Sequence, residues 1–138
     1  MKNKNLLGFR ENNFLMVLKY DGERIKNKYT VVLIPLLERN DIKHCDTESY
    51  FEILNEFIDE KGIDVDIETR EYFTKTFEKL TSMLIDKYNE NIVFNFGIRN
   101  SNGFAYDIYL NIEGNSNRMT TESFDEVLQF LRLKEIWK

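Results

Sequence analysis

The chain has 138 residues, a usual length for one domain and enough to bury about two thirds of its unfolded surface around a single core. Hydrophobic residues make up 42%, aromatic residues 14% and charged residues 31%, with one proline and six glycines; this is globular composition and excludes a disordered or low-complexity chain. The net charge is −5, and a single cysteine with a single histidine excludes an internal disulfide and a zinc site of the usual Cys/His type, so no metal and no cofactor are expected.

No apolar run approaches the roughly twenty residues that cross a bilayer, and residues 1–13 lack the apolar segment and small-residue cleavage site of a secretory signal. A cytoplasmic protein without membrane contact is expected. The charge is unevenly spread. Residues 1–40 hold eight Lys/Arg against four Asp/Glu (+4), residues 41–88 six against thirteen (−7), and residues 89–138 five against seven (−2). An acidic middle repels phosphate backbones and favours basic partners.

Residues 1–12 show no period and are expected as a loosely held arm on a single domain spanning residues 1–138. Phe14, Met16, Leu18 and Tyr20 then alternate with Leu15, Val17 and Lys19, which predicts a strand ended by the turn signal Asp21-Gly22. Residues 29–37, YTVVLIPLL, are β-branched and apolar on both faces, as an inner strand is, until Pro35, whose missing N–H pushes the end of the strand to an edge or out of the ladder. Residues 38–45, ERNDIKHC, are polar and aperiodic and read as a connection, after which Asp46 or Thr47 is expected to cap a helix.

That helix carries Tyr50, Phe51, Leu54, Phe57 and Ile58 at three- and four-residue spacing and ends at Gly62, placed to take the left-handed conformation. Asp66 caps a second, longer helix with an apolar stripe of Phe73, Phe77, Leu80, Leu84 and Tyr88. Residues 91–113 form the clearest pattern in the chain. Ile92, Phe94, Phe96 and Ile98 alternate with polar or small residues, Asn102-Gly103 supplies a hairpin turn, and the alternation resumes through Phe104, Tyr106, Ile108, Leu110 and Ile112. Residues 114–117 read as a loop. Ser123 with Glu126 fits a capping box, and the last helix is expected to bury Phe124, Val127, Leu128, Leu131 and Ile136 or Trp137. The expected order is ββααββα: an α+β fold with a four-stranded antiparallel sheet made of two hairpins and three helices packed mainly on one face.

Four stretches hold residues that carry chemistry elsewhere. Residues 103–109, Gly-Phe-Ala-Tyr-Asp-Ile-Tyr, resemble the RNP1 signature of RNA-recognition domains, in which spaced aromatics on an open sheet stack on unpaired bases. Asn102 stands in place of the signature's leading Lys/Arg, Asp107 in place of its Val, no RNP2 partner precedes it, and ββααββα is not the order of such domains. The resemblance implies single-stranded RNA or DNA binding through the hairpin face; the plainer reading makes Phe104 and Tyr106 core. His44-Cys45-Asp46 gathers a base, a nucleophile and an acid, but neighbouring residues rarely point at one another, and a helix cap preceded by a half-buried cysteine accounts for them. Asp64, Asp66 and Glu68 have the rhythm of a calcium loop without its glycine or its final glutamate, and helix capping accounts for them as well.

The fourth is the acidic helix and its flanks: Glu48, Glu52, Glu56, Asp59, Glu60, Asp64, Asp66 and Glu68. A charged helix face is usually a solvated face; the functional reading is a surface offering carboxylates where a basic protein otherwise meets phosphates. The expected function is therefore a non-catalytic inhibitor of a nucleic-acid-processing enzyme such as a nuclease, in the manner of phage anti-defence or toxin-immunity proteins. Homodimerisation is compatible with the sequence, and a small enzyme without a readable motif is the alternative.

Overall fold

The computed structural model describes residues 13–36, 42–63, 65–89, 91–100 and 104–133. Its elements are β1 (Phe14–Asp21), β2 (Tyr29–Pro35), β3 (Lys43–Thr47), α1 (Tyr50–Lys61), α2 (Ile67–Tyr88), β4 (Ile92–Asn100), β5 (Phe104–Ile112), β6 (Asn115–Thr121) and α3 (Phe124–Leu133). All strand pairs are antiparallel, in the order β3-β2-β1-β4-β5-β6. The fold is α+β as expected, but the sheet has six strands where the sequence predicts four.

The two additional strands are the edges. β3, KHCDT, lies in the stretch expected as a connection and helix cap, and β6, NSNRMTT, begins in the stretch expected as a loop. Neither has an apolar face. Each pairs half of its backbone groups with its one neighbouring strand and leaves the outward half to solvent, and charged or polar side chains suit such an edge because they discourage further strand addition. β6 is joined to β5 by the two-residue turn Glu113-Gly114, both with positive φ (52° and 94°), the backbone that a tight hairpin turn requires. Asn111 Oδ1 accepts from the Gly114 N–H at 3.0 Å and holds this turn. The turn expected at Asn102-Gly103 and the arm at residues 1–12 lie outside the described residues.

The two expected hairpins meet through β1, which pairs with β4 from Phe14↔Asn100 to Asp21↔Val93. Residues paired directly across the strands therefore share a face. Val31, Leu18, Phe96 and Ile108 form one row, and Leu33, Met16, Ile98 and Tyr106 the next, all buried. The helices cover this face. Phe77 of α2 lies parallel to Phe94 at 5.9 Å between ring centroids, Phe73 stacks on Phe96 at 5.4 Å, and Phe124 of α3 meets Tyr106 at 5.4 Å. α1 lies over β2, where Tyr50 and Tyr29 approach to 4.7 Å and both meet Phe77 edge-on.

The caps are set by partners as much as by sequence. α1 starts after Ser49, not after Asp46 or Thr47, which belong to β3; Thr47 Oγ1 instead accepts from the Ser49 N–H at 2.8 Å. Gly62 ends α1 in the left-handed conformation (φ 67°), as expected. Asp66 caps α2 by accepting from the Thr69 N–H at 2.7 Å, also as expected. The capping box at α3 is half made: Ser123 Oγ accepts from the Glu126 N–H at 3.3 Å, while the Glu126 carboxylate takes the Thr121 hydroxyl in place of the Ser123 N–H. Arg70 joins α1 to α2 by donating to Asn55 Oδ1 (2.9 Å) and the Val65 carbonyl (3.1 Å) and pairing with Asp59 (3.3 Å).

Candidate functional site

Two surfaces gather chemistry: the solvent face of α1 and the sheet face turned away from the helices. On α1, Leu54 and Ile58 point into the core. With 3.6 residues per turn, Glu52, Glu56, Asp59 and Glu60 then fall within an arc of roughly 100° on the opposite side. All four are exposed. Cations flank the arc. Arg70 holds Asp59 on one border, and Lys43 of β3 holds Glu60 at 2.6 Å on the other. Glu52 and Glu56, at its centre and one turn apart, make no ion pair or hydrogen bond with the described residues.

The remaining carboxylates of the expected surface are dispersed. Glu48 accepts from the Lys28 N–H at 3.2 Å and belongs to the turn between β1 and β2. Asp66 is engaged as the cap of α2, Glu68 is exposed in its first turn, and Asp64 lies outside the described residues. The structure thus brings together four of the eight expected site residues. Long-range contacts account for the rest of the pattern, since Lys43, Lys28 and Arg70 arrive from other parts of the chain.

The open sheet face carries the alternate residues of the same strands. A depression of about 310 Å³ sits over β1, β4, β5 and β6, with Leu15 and Val17 as its apolar wall. Asp107 accepts from the Thr120 hydroxyl at 2.7 Å and faces the Arg99 guanidinium at 3.6 Å. Arg118 lies over the Tyr109 ring, 5.2 Å from its centroid, and has no carboxylate partner among the described residues. Hydrogen bonds from Ser116 and Asn111, then the charges of Arg118 and Lys19, hold the Tyr109 phenol below its ordinary value. Asn95, paired with Tyr109 across the strands, keeps its Oδ1 shut off from solvent without a hydrogen bond. Gly97 leaves the floor low: a Cβ there would stand 3.2 Å from Val17 Cγ2 and 3.5 Å from Asp107 Cβ. From the sequence, single-stranded RNA or DNA binding through the hairpin is the one role offered for a sheet face, and Asn95, Arg99, Asp107 and Arg118 are not singled out as site residues. The available signal was Gly97, a side-chain gap in the middle of an otherwise regular strand.

The other sequence candidates resolve locally. Tyr106 is 2% exposed and packs between Phe96 and Phe124, so this aromatic of the RNP1-like stretch faces the helices and is withheld from bases. The Phe104 side chain lies outside what is described. His44 and Asp46 stand on one face of β3, with His44 Nε2 3.7 Å from Asp46 Oδ1, whereas the half-buried Cys45 points to the other face, where it pairs across to Val31. A thiol and an imidazole on opposite faces of a strand form no dyad. No helix among the described residues is long and apolar enough to cross a membrane.

No family model, curated protein or solved structure matches the chain.

Proposed function

We propose that the chain is a non-catalytic binding protein that docks the acidic face of α1 on a basic partner protein and blocks it. The observation that carries this reading is the pair Glu52 and Glu56, exposed and, among the described residues, unpaired between two carboxylates whose cations sit at the borders of the stripe. An incoming arginine or lysine meets no resident cation at the centre, and the carboxylates recur about 6 Å apart along the helix axis. A nucleic-acid-processing enzyme such as a nuclease is the partner that suits this surface, because its own basic groove is built to meet a row of anions. Inhibition in the manner of an anti-defence or immunity protein follows from occupying that groove. Clustered exposed charge acts mainly on encounter, raising the association rate roughly tenfold or more in a salt-dependent way.

The test is capture of the partner from the native host, followed by association kinetics at several ionic strengths with the wild type and with the double variant Glu52→Lys, Glu56→Lys. A fall of about tenfold in association rate, with a shallower salt dependence, is the expected result. Kinetics and salt dependence equal to those of the wild type would rule the acidic face out as the docking surface.

A further inference from the structure

We infer that the depression on the open sheet face is a binding site for a single mononucleotide, with the phosphate at Arg118 and Arg99 and the base over Leu15 and Val17. The inference does not rest on the acidic face of α1, which lies on the helical side of the sheet.

The charge at the site is opposite to that of the molecule. On a chain of net charge −5, the depression is lined by Arg99 and Arg118 against one carboxylate, Asp107. Arg99 faces Asp107 across a long 3.6 Å contact, and Arg118 is held over the Tyr109 ring without a carboxylate partner among the described residues, so its guanidinium keeps its N–H donors for a phosphate. The same depression offers acceptors that a bare anion leaves unused. Asp107 spends one oxygen on Thr120 and faces Arg99 with the other, which keeps lone pairs to spare, and Asn95 Oδ1 is a buried acceptor with no partner among the described residues, a costly state that rotation of the carboxamide toward a bound N–H donor relieves. Nucleobases supply such donors at their edges and an apolar face to lie on Leu15 and Val17. An apolar ligand without charge would strand the guanidinium groups, and an inorganic anion would leave the apolar wall and both acceptors unused.

Size sets the upper limit. A volume near 310 Å³ stands at the lower end of small-molecule sites, which start at about 300 Å³, and holds one nucleotide, not an oligonucleotide. The floor also depends on Gly97, since a side chain there would push against Val17 Cγ2 and the Met16 carbonyl.

The test is a calorimetric titration of the full chain with AMP, GMP, CMP, UMP and inorganic phosphate, together with amide chemical-shift mapping of the same additions. At least one mononucleotide is expected to saturate at millimolar concentration or below, with the largest shifts at Asn95, Arg99, Asp107, Tyr109 and Arg118, and with phosphate alone binding about tenfold more weakly or worse. Arg118→Ala, at an exposed edge-strand position, should keep the dispersed spectrum of the folded chain and weaken the mononucleotide roughly tenfold to a hundredfold, the loss of one charge-assisted contact. The variant Glu52→Lys, Glu56→Lys should bind the mononucleotide as the wild type does, which separates this site from the docking surface. The inference is overturned by the absence of saturation with all four mononucleotides, by phosphate binding as tightly as they do, or by unchanged affinity in Arg118→Ala.

Discussion

Asp46 illustrates how distant partners decide what a residue does. Its short side chain, followed by Thr47 and Glu48, has the pattern of a helix cap, yet its carboxylate turns onto the sheet, where Thr30 Oγ1 donates to it at 2.7 Å and Arg24 reaches it at 3.1 Å. Thr30 is buried, so the interaction fixes β3 against β2 at a defined register. The hydrogen bond from Thr30, and after it the Arg24 guanidinium, hold the Asp46 carboxyl below its ordinary value. A depressed folded-state value means that the carboxylate stabilises the fold above the ordinary aspartate range, and that this contribution is lost as the pH falls through the depressed value. Because Asp46 is 44% exposed, solvent screens the effect and it is best read at the residue itself. Carboxyl-detected NMR titration should give Asp46 a midpoint below that of a free aspartate, and Thr30→Val should move it upward. An unshifted midpoint, or one unmoved in Thr30→Val, would contradict this account.

At the scale of elements, the sequence was most legible where one short-range rule governed. α1 ends where Gly62 adopts φ 67°, and its N–H reaches back to the Asp59 and Ile58 carbonyls. Nothing lies within 4 Å of a Cβ built at Gly62, so a substitution there meets only the cost of the left-handed backbone. Gly62→Ala should lose about 1 kcal/mol and lower the melting temperature by about 3–5 °C in thermal unfolding followed by circular dichroism. Gly62→Asn should lose less, because asparagine tolerates this conformation. A rise in melting temperature for the alanine variant would show that a smaller entropy of the unfolded chain outweighs the backbone strain. The edge strands were hidden for the converse reason. In β3 and β6 the backbone ladder, not an apolar face, makes the strand, and alternation of hydrophobicity carries no signal where both faces are polar.

At the scale of the molecule, β1 sits at the centre of the sheet, with Phe14 opposite both Pro35 and Asn100. The two hairpins are thus joined by a ladder between distant segments and by the aromatic layer above it. Phe77 is the point where that layer meets both halves: fully buried, it stacks on Phe94 of β4 and takes Tyr29 of β2 and Tyr50 of α1 at its edges. Phe77→Ala should therefore cost about 3–5 kcal/mol in urea unfolding, a large share of the 5–15 kcal/mol typical of a domain. A loss below about 1 kcal/mol would mean that the two halves do not share this core. The sheet also divides the two surfaces: the carboxylates of α1 lie on the helical side, and Lys19, Arg99 and Arg118 lie on the open face together with Asp46 and Asp107.

The amino-acid order alone determined the α+β class, the three helices, the central strands, the C-terminal end of α1 and the start of α2, because period, glycine conformation and a capping side chain act within a few residues of one another. It also placed Glu52, Glu56, Asp59 and Glu60 on one face, since a helix fixes which neighbours share a side. Only the tertiary structure decided the six-strand order, the cations that neutralise Asp59 and Glu60, and the depression in which Asn95, Asp107 and Arg118 come together. Each of those depends on register between strands far apart in the chain, and that register is set by the packing of the shared core.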